Sequence, residues 1–166
     1  MRKQIEISGK IVKGRGRSKE DILPFNDKLK SVLDQDVYPG TLNLVLDGPL
    51  LLNSSQCTTF DNGKRFLWEV SALGCPYPIY IYRWRGCPLH IIELISSHKL
   101  RKVLNLKESD VFKLYINSRI VEKAPLIKQL AWYLLWYKRN SAYYGSESYK
   151  QFVYKLKRIR KLASQN

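Results

Sequence analysis

Acidic side chains are scarce in this sequence. Fourteen Asp and Glu stand against twenty-nine Lys and Arg over 166 residues, leaving a formal charge of +15. A surplus of that size points to polyanionic company: nucleic acid, nucleotide phosphates or an anionic membrane surface. Cysteines number three, Cys57, Cys75 and Cys87, with no Cys-x-x-Cys spacing. An odd count without that spacing argues against a disulfide framework and a structural zinc site, and suits a reducing compartment. The two histidines, His90 and His98, have no partner at metal-ligand spacing and read as structural or surface residues. Long apolar runs are missing too. The most hydrophobic window, Ala124 to Tyr137, is interrupted by Lys128 and Gln129 and is too short to span a bilayer. Met1 to Glu6 carry no apolar run of the kind a secretory leader needs, so the expected location is cytoplasmic. No Ser-His-Asp or Cys-His arrangement emerges from spacing, and no general base can be named.

What is present suits one compact domain with an appended piece: 45% of the residues are hydrophobic, enough for a real core. Gln4 to Val12 alternates, with Ile5, Ile7 and Ile11 on one parity, as a half-buried strand does. Asp27 to Leu33 has helical spacing. Thr41 to Leu46, Arg65 to Val70, Pro78 to Arg83, Leu89 to Ile95 and Val111 to Ile116 read as strands. Asn62-Gly63 predicts a type I′ hairpin turn ahead of Arg65. Six or seven short strands with few helices predict a closed or nearly closed β-barrel. The composition shifts after residue 122. Residues 1–122 are the expected β-barrel domain and 123–166 a basic, aromatic helical extension. In the extension, 125–139 reads as helical. Ser148 to Ala163 is amphipathic, with Tyr149, Phe152, Val153, Leu156, Ile159 and Ala163 in one stripe.

Three segments have side chains suited to chemistry. In Thr41-Leu42-Asn43-Leu44, strand periodicity puts Thr41 and Asn43 on one face and the leucines on the other. A hydroxyl and an amide oxygen are hard ligands suited to Mg²⁺; periodicity alone equally allows a polar face turned to water. Gly14-Arg15-Gly16-Arg17-Ser18-Lys19 has the glycines and basic residues of an anion-binding nest, yet matches neither a Rossmann nor a Walker loop, and an ordinary basic turn is the competing reading. Glu93 is a lone carboxylate in the apolar run Ile91 to Ile95, either on a solvated edge or aimed into a pocket.

Order and spacing tie these segments together. Gly9-x-x-x-x-Gly14-x-Gly16, Tyr38-x-Gly40-Thr41-Leu42-Asn43-Leu44, Asn62-Gly63-Lys64-Arg65-Phe66, Ile91-Ile92-Glu93-Leu94-Ile95, Lys99-Leu100-Arg101 and Leu104-Asn105-Leu106-Lys107-x-x-Asp110-Val111 resemble the archaeal CTP-dependent riboflavin kinases over residues 5 to 117. The resemblance implies a mainly β fold, a six-stranded cradle-loop barrel of the RIFT type, here with a C-terminal α-helical extension. It implies CTP as phosphate donor, Mg²⁺ as cofactor and riboflavin as the hydroxyl acceptor, giving FMN. It assigns Thr41 and Asn43 to the metal. Nucleotide contacts fall to Arg15, Gly16, Arg17, Ser18, Lys19 and Glu20 on the phosphate side, and to His98, Lys99, Leu100 and Arg101 at the base. Glu93 matches the acceptor-binding glutamate.

Two positions depart from that family. Ser18 stands where the loop usually has a third small, glycine-like residue. Where the family has a flavin-contacting threonine, eight residues before the glutamate, this sequence has Arg85, within Arg83-Trp84-Arg85, and no threonine follows Gly63. Arg85 is thus the candidate acceptor contact beside Glu93, and a non-flavin acceptor, sugar- or lipid-linked, is the alternative. A non-enzymatic nucleic-acid-binding module is the third reading. From Lys138 to Lys161, eight basic residues stand against Glu147 alone, so the tail is the expected contact for an anionic membrane or nucleic acid.

Overall fold

The computed structural model describes residues 3–14, 16, 20, 22–136 and 154. Its elements in chain order are β1 (Gln4–Val12), a 3-10 turn (Leu23–Phe25), α1 (Asn26–Leu33), β2 (Leu42–Val45), β3 (Leu51–Leu52), β4 (Thr58–Phe60), β5 (Arg65–Val70), β6 (Ile79–Trp84), β7 (Ile91–Ser96), α2 (Leu100–Val103), β8 (Val111–Asn117), β9 (Val121–Glu122) and α3 (Leu126–Trp136). The class is mainly β with a helical extension. The Asn62-Gly63 turn forms as its residue types require: both have positive φ (54° and 68°), and the Lys64 amide donates to the Asp61 carbonyl at 3.1 Å.

Seven strands form one antiparallel sheet in the order β4-β5-β6-β7-β2-β1-β8, and β3 pairs with β9 apart from it. The closed six-stranded barrel expected from the sequence is not formed as a continuous ladder. The sheet curls until Ser71, just past β5, exchanges two backbone hydrogen bonds with Tyr115 of β8 (3.1 and 2.8 Å), and this isolated bridge is where the two strands pair. The reason is β4. It pairs Thr58, Thr59 and Phe60 with Leu67, Phe66 and Arg65, occupying the edge of β5 that β8 would need for full closure.

Alternation along the strands sorts the core. Inward side chains, among them Ile11, Leu42, Leu44, Ile81, Ile92, Leu94 and Leu114, pack as one cluster inside the curled sheet. The outer face carries two further patches. Ile22, Leu29 and Val37 cover Leu67, Tyr82 and Ile95 on one side. Trp136 of α3 covers Val12, Val45 and Ile91 on the other, with Trp132 packed alongside. Pro125 immediately precedes the first residue of α3, where its missing N–H costs nothing, and the Lys128 amide donates to its carbonyl at 2.9 Å. The Trp132 indole donates to His90 Nδ1 at 2.8 Å. Burial, then the nearby Arg83 charge, holds the His90 pKa down at about 4, so the imidazole is neutral and can accept that bond. The amphipathic segment expected over Ser148 to Ala163 lies outside the described residues except for Tyr154, which is helical and exposed. Among the described residues no helix is long and apolar enough to cross a membrane.

Candidate active site

Between the two covered patches, the outer face of the sheet carries a row of polar side chains. Register creates it: Asn43 of β2 lies opposite Val12 of β1 on one side and Glu93 of β7 on the other. Glu93 in turn faces Tyr82 of β6. Asn43 is 5% and Glu93 6% exposed, so neither is the solvated strand residue that the simplest reading of its periodicity allows. A buried polar group persists only where something satisfies it. For Asn43 part of the answer is Thr41, whose hydroxyl donates to Asn43 Oδ1 at 3.2 Å.

That spacing bears on metal binding. Mg²⁺ holds its oxygens at 2.0–2.1 Å in octahedral geometry, so two adjacent ligands stand about 3 Å apart. The Thr41 and Asn43 oxygens already sit close to that separation, and both are neutral, hard donors. They fit Mg²⁺ that retains waters and shares phosphate oxygens. Among the described residues no group of three or more His, Cys, Asp or Glu side chains could hold a metal.

Neighbouring backbone holds the pair in place. A Cβ on Gly14 would run into Asn43 Nδ2, so the glycine leaves room for the amide. Gly40 is closed by its own amide donating to the Tyr38 carbonyl at 2.7 Å, and a Cβ there would stand 2.7 Å from the Tyr38 ring. The Tyr38 amide donates to the Ser96 carbonyl at 2.9 Å, fastening this turn to the end of β7. The result is a cleft of about 70 Å³ in which Tyr38, Gly40 and Thr41 meet Ser96, His98, Lys99, Leu100 and Arg101. Two segments more than fifty residues apart thus line one cavity. Arg101 closes the arrangement from below, its guanidinium donating to the Val12 carbonyl at 3.3 Å, near the start of the glycine loop. The His98 ring stacks on Tyr77 at 3.7 Å between centroids and shares a 2.9 Å hydrogen bond with the Ser97 hydroxyl.

Other candidate residues are placed differently. Gly16 is exposed with φ of 71°, open space where a Cβ would be, and Glu20 is exposed. Arg15, Arg17, Ser18 and Lys19 lie outside the described residues. Arg85 sits in the turn after β6, its guanidinium donating to the Gly63 carbonyl at 3.2 Å. Arg83 does not flank the row, because alternation turns it inward. It is buried and donates to the carbonyls of Leu50, Leu89 and Ile91 at 2.8, 2.9 and 3.2 Å, with its pKa lowered by burial. Its work is to satisfy backbone oxygens at the rim of the core.

Sequence reasoning did not single out Tyr77, Tyr82 or Ser96. The hydroxyl of Tyr82, the residue opposite Glu93 in register, is buried with no hydrogen-bond partner among the described residues, and Arg65 stands 4.1 Å from the Phe25 ring centre and 5.7 Å from that of Tyr82. The Ile79-Tyr80-Ile81-Tyr82 alternation was the available signal for Tyr82.

No family model matches the chain. Curated riboflavin kinases do. The one from Staphylothermus marinus is 31% identical over 123 residues, covering 68% of this chain and 92% of the relative. That from Methanococcus aeolicus is 30% identical over 125 residues, 66% of this chain and 96% of the relative. That from Ignicoccus hospitalis is 33% identical over 125 residues, 65% of this chain and 69% of the relative. These matches span nearly the whole of two relatives, and with the convergence of 38–42 and 96–101 on one cleft they place the sequence: the chain belongs to the archaeal riboflavin kinase family.

Proposed function

We propose that this protein is a cytoplasmic riboflavin kinase that transfers the terminal phosphate of CTP to a riboflavin hydroxyl, giving FMN and CDP. The observation that carries the reading is that Thr41 lines the cleft with residues 98–101, while Asn43, hydrogen-bonded to Thr41, lies opposite Glu93 in register. Phosphoryl transfer asks for alignment and charge neutralisation rather than covalent help from the enzyme. In this scheme Thr41 and Asn43 hold Mg²⁺, which supplies charge neutralisation at the phosphates. The loop from Arg15 to Glu20 contacts the phosphates, and His98 to Arg101 receive the cytosine. Glu93, next to Asn43 in register, accepts a hydrogen bond from the acceptor hydroxyl and orients it. The new bond joins that oxygen to the terminal phosphorus as the bond to the bridging oxygen breaks; the hydroxyl proton is released and CDP departs.

The test is incubation with riboflavin and Mg²⁺ plus CTP, with ATP in parallel. FMN from CTP in preference to ATP is the expected result. FMN from ATP alone would remove the CTP assignment, and no flavin phosphate with any nucleotide would remove the flavin. One observation favours a second reading with another hydroxyl acceptor: the position matching the flavin-contacting threonine holds Arg85, which is tied to the Gly63 turn. CTP binding without riboflavin binding, read by the rise in melting temperature each ligand gives, supports that alternative.

A further inference from the structure

Helix α3 turns only one side to the sheet, through Trp132 and Trp136. At 3.6 residues per turn, Tyr133, Leu126, Leu130, Leu134 and Ile127 fall together on another side, in an arc of about 120°. Leu126, Ile127 and Leu134 are 71, 76 and 77% exposed, and Leu130 is 52% exposed. Lys128 is the charged residue of this helix, and it lies outside the arc. A continuous apolar surface of this kind marks an interaction site.

Charge selects the occupant. The eight basic residues between Lys138 and Lys161 follow directly on this helix with Glu147 as their acidic counterweight, and Lys123 precedes it. A second copy of the chain would bring another +15 against the first. A nucleic acid would neutralise the lysines and arginines and offer nothing to Leu126, Ile127 and Leu134. An anionic bilayer serves both, since acyl chains take the leucines while headgroups meet the basic side chains. We infer that α3 seats its Leu126–Ile127–Leu130–Leu134 face in the surface layer of an anionic membrane, with the basic chain beyond it on the headgroups. The outward direction of this face leaves Trp132 and Trp136 packed on the sheet, so binding requires no unfolding of the barrel. This surface is separate from the kinase reading and stands or falls without it.

The experiment is co-sedimentation of the full chain with vesicles of phosphatidylcholine alone or with added phosphatidylserine, at increasing NaCl. Binding to the phosphatidylserine vesicles that weakens with salt is expected, with little binding to phosphatidylcholine. The double substitution Leu130→Ser with Leu134→Ser, which leaves the charge unchanged, is expected to lower partitioning roughly tenfold or more. Both sites are exposed, so the thermal melt of the variant should match the parent and separates a lost contact from a lost fold. No binding to phosphatidylserine vesicles overturns the inference. So does binding indifferent to the double substitution, which would leave the basic residues acting alone. A parent dimer in sedimentation velocity that the substitution dissolves would reassign the face to a second copy.

Discussion

Gly14→Ala isolates the geometry of the candidate metal pair without touching either member of it. The new methyl group would enter the space of Asn43 Nδ2 and stand 3.4 Å from its Cγ. To restore ordinary contact the amide must retreat by roughly an ångström. It has little freedom to do so, being 5% exposed and pinned between Val12 and Glu93 by the β1–β2–β7 ladder. Displacement breaks the 3.2 Å relation between Thr41 Oγ1 and Asn43 Oδ1. A misplacement of about 1 Å in a phosphoryl-transfer site costs on the order of 100-fold in kcat, while overpacking costs about 1–3 kcal/mol of stability. The assay is FMN formation from riboflavin and CTP over a Mg²⁺ titration. Gly14→Ala is expected to lower kcat and to raise the Mg²⁺ concentration for half-maximal rate. Gly48→Ala, with open space around the added methyl, is the control and should behave as the parent. Parental kcat and Mg²⁺ dependence in a folded Gly14→Ala protein would refute the reasoning.

Glu93→Gln should lower kcat by about 100-fold or more, with nucleotide affinity retained, because it removes the charge facing the acceptor hydroxyl; equal kcat in a steady-state assay would remove its role. Tyr82→Phe deletes a buried hydroxyl with no partner among the described residues and should leave urea stability equal or higher by up to about 1 kcal/mol; a raised riboflavin KM in the same variant would mark that hydroxyl as an acceptor contact. Arg83→Ala removes three guanidinium hydrogen bonds to backbone carbonyls at the rim of the core and should cost about 3 kcal/mol or more in urea melts. His90 has a folded pKa of about 4 against 6.5 unfolded, so the unfolded chain binds the extra proton first on acidification. Its contribution is intact above pH 6.5 and is lost progressively as pH falls toward 4, by up to about 3 kcal/mol. Urea melts at pH 7.5 and 4.5 measure it, and His90→Gln should shrink the difference.

Local patterns carried most of the fold. Period-two alternation marked Gln4 to Val12 and placed Leu42 and Leu44 inward with Asn43 outward, and Asn62-Gly63 specified its turn through positive φ. Pairing between distant strands was not legible, because nothing in either segment encodes that Glu93 will lie opposite Asn43. The same limit hid the role of Gly14: a glycine reads as backbone freedom, whereas here, in the loop after β1, it makes room for the Asn43 side chain of β2. β4 escaped notice because Thr58-Thr59-Phe60 is too short to show a period, and it is the strand that keeps the sheet from closing. Arg83 was legible in principle, since it continues the inward parity of Ile79 and Ile81. Tyr38 and the 98–101 segment could be tied together only by resemblance until the fold brought them to one cleft.

The most direct test of the central claim is FMN formation from riboflavin and CTP across a Mg²⁺ titration in the parent and in Asn43→Ala. Mg²⁺-dependent transfer is expected in the parent, with one CDP released per FMN. The folded variant should lose about 100-fold or more, which added Mg²⁺ recovers only in part. Transfer at the parental rate and Mg²⁺ requirement in Asn43→Ala would contradict it.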